Sequence, residues 1–341
     1  MFRHFIENRE RAHHARDTDR RTLPFEWGLE HVGLAPTENP EAALREYAAD
    51  ALTNSDAFYS YEPTTEYTFD GHLLKFPSYV KTPYPANNTA YGRYFAAPRK
   101  DLAMVILPQW NCKWEGQVGL SRMLQHAGIS ALRMSMPYHH DRKPPEVERS
   151  EYLVSPNVGR TLAASRQAVV DARRAADWLF DRGYRKVGLV GTSIGSCIAF
   201  LTFAHDVRFS PGVFIHVSNY YADVVWEGLS TSHVRKALEG VIPLERLRPL
   251  WEPISPFPYI KRLRGDRRPM MMLSGRYDLT FPSRLTQLGH DEFDRHSISV
   301  RREWLACGHY TMGKFPFQAI AGLKIRSFLI EQRGRNTGRD G

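Results

Sequence analysis

Within the stretch KVGLVGTSIGSCIAF, the five residues Gly191, Thr192, Ser193, Ile194 and Gly195 stand between two apolar runs. A Gly-x-Ser-x-Gly between a buried-type strand and a helix is the pattern of a nucleophile elbow. The serine takes a strained backbone on a tight turn, and the glycines leave room for it. Such a serine needs a base, and the base needs a carboxylate to orient it. Asp278 follows the apolar run and Ser274-Gly275 in PMMMLSGRYDLTFP, 85 residues after Ser193. His309 lies 31 residues further on, in Ala306-Cys307-Gly308-His309-Tyr310. The order Ser, Asp, His, each placed after a strand, suits acyl transfer at the carboxyl edge of a parallel sheet.

An acyl-transfer site also needs donors for the developing oxyanion. The backbone N–H of Ile194, next to the serine, is the first candidate. The second should come from the loop Pro108-Gln109-Trp110-Asn111-Cys112. Pro108 has no N–H, so Gln109 or Trp110 must donate, with Trp110 favoured. One such donor is worth on the order of 3 kcal/mol of barrier. Gln109, Tyr138, His139 and Tyr220 are the expected pocket residues, and Trp110 with Trp114 could form an apolar wall. His139-His140-Asp141 has no third ligand at metal spacing, so no metal and no cofactor are expected.

The elements that must position these residues alternate between strand and helix. Strands are expected near Tyr91–Ala96, over Ala103–Leu107 and Ser130–Met136, and at Val187–Val190 and Val213–Val217. Two more follow at Pro269–Leu273 and Ile298–Trp304. Several are continuous apolar runs, as in strands buried on both faces. Helices are expected over Gln117–His126, Leu162–Phe180, Ile194–Ala204 and Phe315–Ile330. In the second, Val169, Ala172, Ala176 and Leu179 recur at helical steps. The βα rhythm predicts a doubly wound, mostly parallel sheet. Upstream, Thr37 precedes a helix from about Pro40 to Leu52, and Asp70-Gly71 closes a hairpin between Glu66–Phe69 and His72–Phe76. Residues 1–90 therefore read as an N-terminal extension packed on the core, and 91–332 as the core. Residues 219–268, rich in aromatics and prolines, read as a small lid-like insertion over the carboxyl edge. Residues 333–341 read as a flexible basic tail.

Composition narrows the classes further. The 341 residues are 42% hydrophobic and 24% charged, with a net charge of +9, which excludes wholesale disorder. Part of the excess sits in the ends: Arg3, Arg9, Arg11, Arg16, Arg20 and Arg21, and the tail RGRNTGRDG. These ends read as solvated, so no nucleic-acid partner is expected, and an anionic membrane surface stays open as a peripheral contact. Cys112, Cys197 and Cys307 show no pairing pattern. With no secretory signal and no transmembrane run, a soluble cytoplasmic protein is expected. Oligomeric state is not legible.

With these residues in view, the chain resembles the α/β-hydrolase superfamily and, within it, the alpha/beta hydrolase domain-containing protein 18 group. The stretches MPYHHDRKPPEVERS, ADWLFDRGYRKVGLVGTSIGS, SGRYDLTFPS and CGHYTMGKFPFQAI carry the resemblance, over about Tyr91 to Ile330. It implies a serine hydrolase of acyl esters, with Ser193, Asp278 and His309 at the catalytic positions and a small-molecule ester as substrate. Ser196 departs from the group's usual glycine, a change expected to affect packing only. Two alternatives stand beside it. One is a peptidase or amidase of the prolyl-oligopeptidase-like branch, disfavoured by the lack of a propeller-length repeat. The other is a non-catalytic α/β-hydrolase-fold binding protein, disfavoured by the intact Ser, Asp and His.

Overall fold

In the computed structural model, which describes residues 1–18 and 20–334, one nine-stranded sheet organises the chain. Its strands are β1 (Thr68–Phe69), β2 (Leu73–Pro77), β3 (Thr89–Phe95), β4 (Leu102–Leu107), β5 (Ser130–Met134), β6 (Lys186–Thr192), β7 (Phe209–Ile215), β8 (Met270–Gly275) and β9 (Arg301–Leu305). The spatial order is β1-β2-β3-β5-β4-β6-β7-β8-β9. From β5 to β9 every neighbouring pair is parallel, whereas β1, β2 and β3 join antiparallel at one edge. The chain therefore runs outward from β4 to β5, then returns to the other side of β4 as β6. Ligand crevices in open α/β sheets form at such a reversal, outside the carboxyl ends of the strands.

Helices cover both faces. They are α1 (Phe2–Ala15), α2 (Pro40–Thr53), α3 (Ser55–Phe58), α4 (Val118–His126), α5 (Val158–Asp181), α6 (Ile194–His205), α7 (Tyr221–Glu227), α8 (Ser232–Leu238), α9 (Leu244–Trp251), α10 (Ser283–Arg295), α11 (His309–Met312) and α12 (Phe317–Gly334). β4 shows why its sequence is apolar throughout. Ala103, Val105 and Leu107 enter the core beneath α5 and α6, while Leu102, Met104 and Ile106 enter the core beneath α4 and α12. Alternate residues of a strand face opposite sides, so a strand covered twice has no polar face to show.

The expected hairpin is present, with Gly71 at φ +100° and the Asp70 carboxylate accepting the N–H groups of His72 and Leu73. Its strands belong to the main sheet, so the N-terminal ninety residues supply part of it. The cap of α2 is Asn39, whose Oδ1 accepts the Ala42 N–H at 3.1 Å, and not Thr37. Besides several short helices of eight residues or fewer, two long ones lie where none is expected. One is α10, whose buried face carries Thr286, Gly289 and His290 among Leu285 and Phe293, while Leu288 points out. That mixture hides the apolar period. The other is α1, within the arm read as solvated: its arginines are exposed, but Ile6 and Glu10 are buried one turn apart. The strand expected from Ile298 starts at Arg301, because α10 ends in a turn through Ser297 at φ +53°. Segment 219–268 divides its roles. Tyr220, Tyr221, Val224, Val225, Ser230 and Thr231 line a cleft, whereas Leu247, Leu250, Trp251 and Ile260 complete the main core. The tail from 335 onward lies outside the described residues.

Candidate active site

Where β6 ends, the chain turns sharply into α6 with Ser193 at φ 57° and ψ −127°. A non-glycine residue with positive φ costs of order 1–3 kcal/mol and persists only where the surroundings over-determine it. Here the Ser193 N–H still pairs with the Ile215 carbonyl at 2.9 Å, and its carbonyl accepts the Ser196 N–H at 2.8 Å. Close backbone approach explains both glycines. A Cβ on Gly191 would lie 2.2 Å from the Gly195 oxygen, and one on Gly195 would lie 2.2 Å from the Leu107 oxygen. Ser196 adds a bond that the sequence did not suggest: its hydroxyl reaches the carbonyl oxygens of Ser193, at 2.7 Å, and of His216, at 3.1 Å.

The loops after β8 and β9 meet the elbow. His309 Nε2 lies 2.9 Å from Ser193 Oγ, and His309 Nδ1 lies 2.9 Å from Asp278 Oδ2. Asp278 Oδ1 accepts the N–H groups of Thr280 and Phe281, at 2.8 and 2.7 Å. Burial alone would raise the Asp278 carboxyl, but the charge of His309, the proximity of His216 and the hydrogen bond from His309 hold it well below the ordinary carboxylate range. An ionised carboxylate only accepts, so the His309 proton sits on Nδ1. Nε2 then carries the lone pair that accepts the Ser193 hydroxyl proton. Burial pulls the His309 pKa down, but the Asp278 charge and hydrogen bond, aided by Glu10, outweigh it and raise the net value. The arrangement can therefore take a proton from Ser193 and stabilise the resulting imidazolium.

A second histidine stands beside this row. His216, just past the end of β7 at φ 55°, is buried, with its Nδ1 2.8 Å from Asp278 Oδ2 and its ring 4.4 Å from that of His309. Neither His216 nitrogen has an aligned hydrogen-bond partner among the described residues. Burial and the neighbouring His309 charge lower its pKa, against the pull of Asp278, so it is neutral beside the pair. His216, Asp278 and His309 are also the one group of metal-ligand type among the described residues, their ligand atoms within 4.8 Å of one another. A cation there would occupy the place of the proton shared by Asp278 and His309.

A cleft of about 2060 Å³ opens over Ser193 and His309. Ile194, Gln109, Trp110, Trp114 and Tyr220 all line it. Trp110 is held by its indole N–H, which donates to the Ser150 carbonyl at 2.7 Å, and by stacking on His233. Tyr138 and His139 do not reach the cleft. Tyr138 is buried against Tyr84 and Tyr152. His139 is buried too. Its Nε2 accepts the Asn111 N–H at 2.9 Å and its Nδ1 bonds to the Pro137 carbonyl, while burial lowers its pKa to about 3. His140, one residue on, lines the cleft in their place and stacks on Trp114. Its side chain follows a left-handed backbone, φ 52°, which a sequence pattern does not announce.

Two further residues, His216 and Glu10, escaped sequence reasoning, and so did the role of a third, Ser196. His216 carried a readable signal, a histidine ending an apolar strand at the active edge. Ser196 was visible, but its bonds were not. Glu10 had no local signal, because its partners lie 300 residues away.

No protein-family model matches the sequence, and no curated protein matches it. Solved structures do. Acetyl xylan esterase 1 from Thermoanaerobacterium superposes with a TM-score of 0.58 at 14% identity, over 90% of this chain and 99% of that one. Acylaminoacyl peptidase from Pyrococcus horikoshii gives a TM-score of 0.58 at 13% identity, over 82% of this chain. An esterase from Pyrococcus furiosus gives 0.51 at 14% identity, over 81% of this chain and 93% of that one. The chain has the α/β-hydrolase fold. The match spans 43% of the acylaminoacyl peptidase, so the likeness covers less than half of that larger protein. At such identities the α/β-hydrolase likeness is one of architecture, and the chemistry must be argued from this chain's own side chains. Among the described residues, no helix is long and apolar enough to cross a membrane.

Proposed function

We propose that this chain is a serine hydrolase that cleaves carboxylic esters through an acyl-enzyme. The observation that carries the proposal is the continuous row from Ser193 Oγ through His309 to Asp278, with both contacts at 2.9 Å. Ser193 attacks the ester carbonyl as its proton passes to His309 Nε2. The backbone N–H groups of Ile194 and Trp110 hold the oxyanion of the tetrahedral intermediate. Collapse expels the alcohol, which takes the proton from His309. Water then repeats the sequence on the acyl-enzyme, giving up its proton to His309, and releases the acid and free Ser193. Asp278 keeps the imidazole in the required tautomer and offsets its charge.

We place the chain with the alpha/beta hydrolase domain-containing protein 18 group, which it resembles in the four stretches quoted above, with 91–332 as the hydrolase core, 1–90 as its extension and 219–268 as the insertion. The reading needs no cofactor. It also suits a reducing, cytoplasmic setting, since all three cysteines are unpaired. The likeness to an acylaminoacyl peptidase favours amide cleavage as the second reading.

Fluorophosphonate labelling of the purified protein, with Ser193→Ala as control, tests the nucleophile. Labelling of the wild type alone is expected; a wild type that does not label leaves only a binding role. A panel of p-nitrophenyl esters from acetyl to long acyl, run beside aminoacyl p-nitroanilides, separates the two chemistries. Short to medium acyl esters should be turned over. Faster cleavage of the anilides would favour the amidase.

A further inference from the structure

We propose that Glu10, on the N-terminal helix, is a positioning residue for this reaction: its carboxylate holds the turn that presents His309 to Ser193. The proposal rests on the serine-hydrolase reading. Helix α1 is otherwise a charged surface helix, yet Glu10 is 0% exposed. A carboxylate is buried at a heavy cost unless its oxygens are bonded. Both are. Oε2 accepts the Tyr310 N–H at 2.9 Å, and Oε1 accepts the Thr311 N–H at 2.8 Å. These are the two amides that follow His309, in the first turn of α11, where N–H groups have no partner within the helix.

Gly308 closes the bracket from the other side. A Cβ at that position would lie 2.4 Å from Glu10 Cδ, so glycine is what admits the carboxylate. The residues before and after His309 are thus both fitted to one side chain from the far end of the chain. Helix α11 has four residues, too few to be stable by itself, so its geometry must be supplied from outside. The arm beyond α1 adds support. Arg20 donates to the Tyr310 hydroxyl at 3.0 Å, and Asp17 pairs with Arg149 at 2.6 Å across the cleft mouth. His13 stacks on Tyr310. His309 must meet Ser193 and Asp278 at once, and misplacement by about 1 Å can cost about a hundredfold in rate.

The charge of Glu10 acts as well as its shape. The titratable groups that face His309 are Asp278 after β8, His216 at the end of β7, Ser193 on the elbow, Cys307 and Tyr310 beside it in sequence, and Glu10 from α1. Glu10 adds to Asp278 in favouring the protonated imidazole. Loss of that charge therefore lowers the His309 pKa, and the acid limb of kcat/KM moves to lower pH.

Glu10→Ala and Glu10→Gln in the full-length protein test this, with p-nitrophenyl butyrate as substrate and melting followed in parallel. Glu10→Ala should lose about ten- to a hundredfold in kcat with KM within about twofold, and added formate should restore part of the rate. Glu10→Gln, which keeps one acceptor, should fall between, and the acid limb should shift to lower pH in both variants. Wild-type kcat with an unmoved limb in both variants overturns the proposal. If Glu10→Ala does not fold, NMR titration of the His309 ring in wild type and Glu10→Gln decides instead: a lower pKa in the variant supports the coupling, an identical one refutes it. That titration is independent of turnover. It therefore stays informative if fluorophosphonate fails to label the wild type, the outcome that would sink the hydrolase reading itself.

Discussion

His216 and His309 approach the same oxygen of Asp278, Nδ1 in each case, at 2.8 and 2.9 Å. The two contacts differ in kind. His309 is aligned with the carboxylate and reaches Ser193 with its other nitrogen, whereas His216 lies out of line and touches no reacting atom. We therefore expect His216→Phe to keep fluorophosphonate labelling and to lose less than about tenfold in kcat/KM. Asp278→Asn should lose on the order of ten-thousandfold in kcat, the size expected when the imidazole takes the wrong tautomer. Equal losses in the two variants would give His216 a direct role.

The pH profile follows from the direction of the His309 shift. Only the neutral imidazole can accept the Ser193 proton, and Asp278 raises the His309 pKa above 6.5 despite burial. Activity should thus fall on the acid side with an apparent pKa above 6.5. Asp278, held low, should add no second limb in the carboxylate range. Its own contribution to stability is likewise lost toward acid, at lower pH. A depressed folded pKa stabilises above the ordinary value of 3.8 and loses that effect as pH falls below it. The stability gap between wild type and Asp278→Asn should therefore shrink in acid denaturation below about pH 4.

Ser196→Ala isolates one hydroxyl. It removes the bond to the Ser193 and His216 carbonyls while leaving the Ser193 carbonyl paired with backbone N–H groups. About 1 kcal/mol of stability should go, read by urea unfolding. The Km for esters should not change, because the hydroxyl points away from the cleft side of the elbow toward two carbonyls.

Gly195→Ala should be far more damaging. Its Cβ would meet two backbone oxygens, of Leu107 at 2.2 Å and Pro108 at 2.5 Å, and neither can move without disturbing β4. Loss of soluble protein, or destabilisation of several kcal/mol by calorimetry, is expected. A variant that folds and labels normally would show that the turn can relax.

Much of the architecture was written locally. The continuous apolar runs of β4 and β6, the Asp70-Gly71 turn and the glycines around Ser193 each state a backbone requirement within a few residues, and the structure meets them. Helix α10 was not legible, because small and polar residues fill its buried face. The pocket was legible in part. Gln109, Trp110 and Tyr220 line it, but Tyr138 and His139 turn inward, since the loop after β5 passes through the left-handed residues Tyr138 and His140.

Chain order alone carried Ser193, Asp278 and His309 to one sheet edge, because residues that follow parallel strands must emerge on the same side. What a sequence cannot state is which distant side chain fills a vacancy. The side chain that holds the His309 turn comes from α1, residue 10, and the second imidazole on Asp278 comes from the end of β7. Both depend on contacts between segments far apart in the chain, where no spacing rule applies and only packing decides which groups meet.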